Sequence, residues 1–235
     1  MNALRLPLRF VFARAENLFD RVFGPRWNPF SCLGALGYYY FWIVCVSGFY
    51  LFIFYDTGID QAYQSLEYIT RDQWWLAGIM RSLHRYASDA MVVMVMVHML
   101  REFALDRYRG ARWYSWLTGI PALWFLFSSG ITGYWMVWDK LAQYVAIATT
   151  EWLDALPIFG EPTARNFASP TLLNDRFFTL MIFMHIALPL ILLFIMWFHL
   201  QRVNYSKVNP ARGLAVGTLA MLLVLSLAVP VSSQG

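Results

Sequence analysis

The chain has 235 residues, of which 59% are hydrophobic, 18% are aromatic and only 14% are charged. A soluble domain carries about 25% charged residues, so this composition excludes an ordinary soluble protein and indicates a membrane setting. The formal net charge of +4 is interpreted as a signal of membrane topology, with lipid and not nucleic acid as the expected partner.

The N-terminal segment is rich in arginine. Residues 4–23 alternate apolar and basic positions, which is typical of an amphipathic helix lying on a membrane surface. A leftover amphipathic linker is the alternative. Because no early apolar core precedes a small-residue cleavage site, we do not expect a signal peptide. We assign residues 1–27 to a surface segment on the cytoplasmic side.

Five apolar stretches are long enough to cross a bilayer, which takes about 20 residues in a helix. We expect an all-α fold in which the first four stretches form a transmembrane four-helix bundle within residues 28–210. The fifth stretch is expected to be a further C-terminal transmembrane helix within residues 211–235. The stretches lie approximately at 32–55, 78–103, 113–137, 177–201 and 213–231.

The four histidines form two pairs with equal spacing. His84 and His98 lie in the second stretch, and His185 and His199 in the fourth. Fourteen residues are close to four helical turns, roughly 21 Å, so both members of a pair point the same way. Two parallel helices would then bind two haems at two depths, each iron held by one imidazole from either helix. Histidines that only pack helices are the alternative, but imidazole is costly in hydrocarbon and usually marks function there.

The charged residues predict the orientation. Twelve of the eighteen basic residues precede the first stretch or lie near the second and fourth connections, which places those parts in the cytoplasm. Ten of the fourteen acidic residues lie on the other side, if Asp89 is counted there. With the N-terminus cytoplasmic and the C-terminus outside, His84 and His185 share the outer depth, and His98 and His199 the inner depth. A multi-pass protein of a bacterial inner or photosynthetic membrane is expected.

Four glycines repeat the spacing of the histidines. Gly34 and Gly119 are predicted at the inner depth, and Gly48 and Gly133 at the outer depth. A glycine lacks the Cβ atom that would collide with a porphyrin edge, so one glycine on each side of each haem suits a tight haem cage. Plain helix packing is the alternative, because glycine is common in membrane helices.

Charged side chains lie close to the histidines. Arg81, Arg85 and Arg101 are within three residues of a ligand and are predicted to form charge-assisted hydrogen bonds with haem propionates. Snorkelling to lipid headgroups is the alternative. Asp89 has two interpretations, a proton acceptor or haem-edge group near the outer haem, and the partner of a neighbouring arginine or tyrosine.

Four stretches carry a resemblance to a known family: NPFSCLGALGYYYFW, RSLHRYASDAMVVMVMVHMLREF, GYWMVWDKL and RFFTLMIFMHIALPLILLFIMWFH. They resemble the N-terminal four-helix haem domain of cytochrome b, the core of quinol:cytochrome c and plastoquinol:plastocyanin oxidoreductases. The resemblance covers about residues 28–210. It implies two haem b groups, a quinone near the inner haem, and partner subunits that supply the C-terminal half of cytochrome b, an iron–sulfur protein or a cytochrome c.

The two cysteines lie on one apolar stretch, too far apart to form a disulfide with each other. Cys45 is interpreted as a small buried hydrophobic residue. Cys32 stands in a Cys-Leu-Gly context that, in the short form of cytochrome b, carries an extra c-type haem on a single thioether. The resemblance therefore implies a third haem at Cys32, between the inner haem and the quinone. An inert small residue is the alternative.

The sequence also departs from the family pattern. The Pro-Glu-Trp-Tyr motif of the long form does not occur, Val137 stands where a proline is usual, Lys140 follows, and a fifth apolar stretch is present. SCLG and WDK are similar to the short form, whereas the spacing of His185 and His199 is that of the long form. We therefore expect a split complex with an unusual partner, or a relative that has lost quinol oxidation on the outer side.

Two functions follow as expectations. The first is a di-haem electron-transfer subunit that passes electrons across the membrane between quinone and partner redox proteins, and that is not catalytic alone. The alternative is a haem-bearing membrane anchor that links a soluble oxidoreductase of molybdenum, flavin or iron–sulfur type to the quinone pool. The two functions share the histidine pairs and differ in the partner.

Overall fold

The computed structural model describes residues 2–156, 174–201, 203 and 206–234. Over these residues the chain folds into eight α-helices joined by short 3₁₀ and π-helical turns, which confirms the all-α prediction. The helices are α1 (Asn2–Phe23), α2 (Leu33–Phe52), α3 (Ile59–Glu67), α4 (Ile79–Ala104), α5 (Trp113–Trp135), α6 (Lys140–Asp154), α7 (Asp175–Leu200) and α8 (Arg212–Ala228).

The long helices α2, α4, α5, α7 and α8 form where the five apolar stretches were predicted, and α1 forms over the N-terminal amphipathic segment. Sequence analysis missed α3, α6 and the π-helical turns Tyr68–Asp72 and Trp74–Gly78. The helix α3 buries Ala62 and Leu66 four residues apart. Its apolar face is too short and too narrow to be detected as a membrane span.

The four central helices pack as two pairs, α2 along α4 and α5 along α7. Over their described lengths, the histidine-bearing helices α4 and α7 make little direct backbone contact with each other. They stand on either side of a space at the centre of the bundle. The shared core contains side chains from all four helices, among them Leu36, Ala87, Met91, Leu126 and Leu192. This arrangement holds two histidine-bearing helices at a fixed separation.

We call the end of the bundle with His84 and His185 the outer end and the end with His98 and His199 the inner end. The helix α1 lies against the inner end. The rings of Phe12 and Phe19 meet the ring of Phe30 edge to face, and the Arg101 Nε donates to Glu16 Oε1 at 2.7 Å. The opposite face of α1 exposes apolar side chains, among them Leu18.

The fifth long helix, α8, packs against α4, and the Tyr39 hydroxyl donates to the carbonyl oxygen of Ala215 at 3.1 Å. The segment that follows returns to the outer end of the bundle. There the Val231 N–H donates to Ser82 Oγ at 3.0 Å, and the Gln234 N–H donates to Asp139 Oδ2 at 2.8 Å. The helix α8 is therefore held to the bundle at both of its ends.

Two helices are long and apolar enough to cross a membrane by length and composition, and they span Pro29–Phe52 and Asp175–Leu200. The helix α8 is a shorter apolar helix. Of the other described helices, α4 and α5 are long enough but not apolar enough. Arg81, Arg85 and Asp89 interrupt the apolar residues of α4, and Trp, Tyr, Gly and Ser lower the mean hydropathy of α5.

Candidate cofactor-binding site

The outer histidines face each other across the gap between α4 and α7. The ring centroids of His84 and His185 are 6.1 Å apart, and the rings are inclined at 66°. A metal–imidazole bond of about 2 Å on each side, with roughly 1 Å from each nitrogen to its ring centre, gives a separation of about 6 Å. The pair therefore has the spacing of two axial ligands on one metal ion.

Hydrogen bonds fix which ring nitrogen can bind a metal. The Nδ1 atom of His84 lies 3.0 Å from the carbonyl oxygen of Val44, and that of His185 lies 2.9 Å from the carbonyl oxygen of Ser129. A carbonyl only accepts, so Nδ1 carries the proton in both rings. Each Nε2 keeps its lone pair for a metal. The hydrogen bond from Nδ1 to the carbonyl orients the ring and raises the basicity of Nε2.

Glycines allow the outer rings to approach the neighbouring helices this closely. Gly48 follows Val44 by four residues, and Gly133 follows Ser129 by four. A Cβ atom built on Gly48 would lie 3.0 Å from His84 Cε1, and one on Gly133 would lie 2.4 Å from His185 Cε1. Sequence analysis assigned these glycines to a porphyrin edge. The structure places them against the histidine rings. Because these positions carry no Cβ, the ring can come close enough for its Nδ1 to reach the backbone carbonyl one helical turn earlier.

The inner end repeats this arrangement with one variation. Gly34 and Gly119 lie against the rings of His98 and His199, where added Cβ atoms would be 3.5 Å and 3.3 Å from the two Cε1 atoms. The His199 Nδ1 lies 3.2 Å from the Thr118 hydroxyl oxygen. That hydroxyl already donates to the carbonyl of Tyr114 at 2.9 Å, so its oxygen accepts from the imidazole. A side-chain hydroxyl thus serves as a hydrogen-bond acceptor for an imidazole at the inner end.

A cavity of about 380 Å³ lies between the inner histidines. Its deep part is apolar, with Met91, Leu126 and Leu192 in the wall, and its mouth toward the inner end is charged. Such a cavity suits a flat apolar ligand with an anionic edge. The polar and charged residues at the mouth are Ser31, Cys32, Arg101, Glu102, Arg107, Arg112, Ser206 and Lys207.

The three predicted propionate-binding arginines lie in different surroundings. Arg101 lines the inner cavity. Arg81 is buried, and its Nη1 donates to the Thr70 hydroxyl. Arg85 is half exposed on the outer part of α4. Of the three, Arg101 is the one that the structure brings to the described cavity.

Arg85 also decides between the two interpretations of Asp89. The Arg85 Nε donates to Asp89 Oδ2 at 3.0 Å, as an i,i+4 ion pair along α4. The guanidinium lies over the ring of Tyr134, 5.5 Å from its centroid. Asp89 is therefore the partner of a neighbouring arginine, and it is more than half exposed.

The donor set fits a haem better than a bare metal ion. Among the described residues, no group of three or more His, Cys, Asp or Glu side chains is arranged to hold a metal. Two facing imidazoles leave four equatorial positions, and a porphyrin supplies four nitrogens. The residues present at each histidine pair therefore match bis-histidine haem ligation.

Comparisons with known proteins agree with this geometry. Residues 18–207 match the family described as Cytochrome b/b6/petB. The chain belongs to the cytochrome b family. Membership implies that it binds haem b and is an integral membrane protein of electron transport.

Among its relatives, the cytochrome b6 of Porphyra purpurea is 31% identical over 153 residues, which is 64% of this chain and 70% of the relative. The cytochrome b6 of Gracilaria tenuistipitata var. liui is 30% identical over 152 residues, 64% of this chain and 69% of the relative. A solved structure titled "Hyperthermophilic respiratory Complex III" is 22% identical, with a TM-score of 0.58 over 84% of this chain, and supports the fold. This chain spans 57% of the chain in that structure.

Sequence analysis missed the hydrogen-bond acceptors of the rings. Val44 and Ser129 each precede a singled-out glycine by four residues, and Thr118 precedes Gly119 directly. The glycine positions were therefore a usable signal. At the mouth of the cavity, Glu102 was missed, and Arg107 and Arg112 had been used only to predict topology.

The contact at Gly133 yields a testable prediction. Gly133→Ala places a Cβ against the imidazole of His185, so we expect the haem at the outer histidine pair to be lost or strongly weakened, with the inner haem retained. The measurement is the reduced-minus-oxidised optical spectrum of the purified protein at stepped potentials. Gly130→Ala is the matched control on the same helix, because a Cβ on Gly130 meets nothing within 4 Å. Equal outer-haem content in the two variants would contradict the assigned role of Gly133.

Proposed function

We propose that the chain is the di-haem cytochrome b subunit of a quinone-linked electron-transfer complex. One haem b binds between His84 and His185, and a second between His98 and His199. The observation that carries the proposal is the 6.1 Å separation of the outer rings, with both Nδ1 atoms held by backbone carbonyls. When bound, each haem supplies a one-electron redox centre.

The protein contributes ligands of fixed orientation in apolar surroundings. An imidazole whose Nδ1–H donates to a backbone carbonyl is held in one orientation, and its Nε2 would hold the haem iron. The inner pair uses Thr118 for the same purpose at His199. The two pairs are separated by about 21 Å along the helices, so electrons passing between them cross much of a hydrocarbon core about 30 Å thick.

The surface of the bundle supports a transmembrane arrangement of α2, α4, α5, α7 and α8. Large apolar side chains on the outer faces of the helices are well exposed, among them Phe49 at 68%, Trp124 at 63% and Phe183 at 67%. Apolar exposure on this scale marks contact with a membrane or a partner. The excess of basic residues near the inner end favours a cytoplasmic location for that end by the positive-inside rule.

The quinone is proposed to bind at the inner end, where the cavity opens among Ser31, Arg101 and Lys207 and α1 covers the bundle. The partners are other subunits of a membrane redox complex, among them a protein that supplies the C-terminal half of cytochrome b, and an iron–sulfur protein or a cytochrome c. The family match over residues 18–207 favours this function over the alternative of a membrane anchor for a soluble oxidoreductase.

A third haem, of c type, is proposed on Cys32. The side chain of Cys32 is buried at 8% exposure and lines the inner cavity together with Gly34, His98 and Lys207. A thioether at this position would hold a porphyrin beside the inner haem, on the path to the proposed quinone site. Cys45 lies within α2 and packs against the hydrophobic core.

The ligand assignment predicts selective loss of one haem. His84→Ala leaves His185 without its axial partner, so we expect the outer haem to disappear while the inner haem keeps its low-spin spectrum. His98→Ala should give the reverse result. Redox-resolved optical spectra of the purified variants measure both. The assignment is wrong if any one of the four histidines can be replaced by alanine with both low-spin haems unaltered.

The covalent haem makes a separate prediction. Denaturing electrophoresis with haem staining should give a stained band near 27 kDa, because a thioether survives denaturation and axial ligation does not. Cys32→Ala should abolish the stain, and the matched control Cys45→Ala should retain it. An unstained wild-type band would exclude a covalent haem and would leave the two histidine-bound haems unaffected.

A further inference from the structure

Glu102 lies at the centre of a group of arginines at the inner end. Its Oε1 accepts from Arg101 Nη1 at 3.3 Å and from Arg107 Nη1 at 3.1 Å. Its Oε2 accepts from Arg112 Nη1 at 3.2 Å. The Glu102 side chain is only 15% exposed, whereas Arg107 and Arg112 are 38% and 42% exposed. One shielded carboxylate therefore connects guanidinium groups from α4, from the following turn and from the 3₁₀ turn just before α5.

The position of Glu102 on α4 relates this group to the inner histidine. Glu102 follows His98 by four residues, so the two side chains share a helix face and are separated by one turn, about 6 Å along the axis. Glu102, Arg107 and Arg112 all line the cavity between His98 and His199. The group thus borders the space directly inward of the inner histidine pair.

The arginines keep donors for a second anion. A guanidinium has five N–H donors, and Arg107 and Arg112 each reach Glu102 through one nitrogen, Nη1. Arg101 is more fully engaged, because it pairs with both Glu16 and Glu102. Arg107 and Arg112 are therefore better placed than Arg101 to bind another carboxylate.

The formal charge at the mouth has the right size for a dicarboxylate. Four cations line the mouth, and two carboxylates, Glu102 in the lining and Glu16 paired with Arg101, leave a net charge of +2. Haem b carries two propionate carboxylates, which would balance that charge through charge-assisted hydrogen bonds. The four cations are Arg101, Arg107, Arg112 and Lys207.

We propose that Glu102 is a positioning residue that gathers Arg107 and Arg112 at the mouth of the inner cavity, where their other N–H donors, with Lys207, bind the two carboxylates of the inner haem. This inference rests on the proposed function. It moves the main propionate contacts from Arg101, which sequence analysis selected, to residues of the connection between α4 and α5.

The test is a redox titration of the purified full chain that resolves the two b haems. Arg112→Gln removes a positive charge beside the inner haem. Because positive charge stabilises the reduced haem, we expect the midpoint potential of the inner haem to fall and that of the outer haem to stay unchanged. In a Glu102→Gln background, Arg112 is no longer held at the carboxylates, so the shift caused by Arg112→Gln should shrink to less than half. This loss of additivity is the signature of positioning.

The control variant is Asp106→Asn. Asp106 lies in the same connection and pairs with Arg5 and Arg109, so its replacement should leave both potentials unchanged. Repeating Arg112→Gln in a Cys32→Ala background identifies the source of the carboxylates. A persisting shift assigns them to the inner b haem, and its disappearance would assign them to a haem on Cys32 and overturn the inference as stated.

The remaining outcomes separate this inference from the function on which it rests. A wild-type chain without haem at either histidine pair would refute the proposed function itself. If both wild-type haems are intact and Arg112→Gln does not move the inner potential, the proposed contact of Arg112 with the haem is refuted and the proposed function is not. If Arg112→Gln moves that potential equally in the wild-type and Glu102→Gln backgrounds, only the role of Glu102 is refuted. The spectrum of the outer haem in each sample reports that the variant has folded.

Discussion

The structure depends on one requirement, that an imidazole use both of its nitrogens in a place with no water. One nitrogen must face the central gap, and the other must find a hydrogen-bond acceptor, because an unpaired polar group in an apolar interior is costly. His84 and His185 meet the requirement by reaching a backbone carbonyl on the neighbouring helix. That reach is possible only where the neighbouring helix carries a glycine.

The pairing of the helices follows from this requirement. Each histidine-bearing helix must lie tightly against a glycine-bearing helix, and the structure contains the pairs α2 with α4 and α5 with α7. The histidine-bearing helices must also stay apart, since the proposed haem needs room between the two rings. Close packing within pairs and separation between them are two consequences of the same chemistry.

The sequence predicted the long helices, the two histidine pairs and the depth of each glycine, because a fourteen-residue spacing translates directly into helix geometry. It did not predict that Gly133 contacts the ring of His185. Spacing along a helix gives the depth of a residue in the bundle, but it does not identify the side chain that the residue contacts. It also missed α6 and the grouping of Arg107 and Arg112 around Glu102, which depend on where a short connection folds back. Local periodicity carries no information about such contacts.

The measurement that tests the central claim most directly is the identity of the axial ligands in the wild-type protein. Near-infrared magnetic circular dichroism of the oxidised, purified chain distinguishes imidazole from methionine sulfur as an axial ligand, and haem quantification gives the number of haems. Two b haems per chain, both with bis-imidazole bands, are the result that this account predicts. A single b haem per chain, or the charge-transfer band of a methionine sulfur on iron, would contradict it, and Met91 and Met99, which line the inner cavity, would then become the candidate ligands.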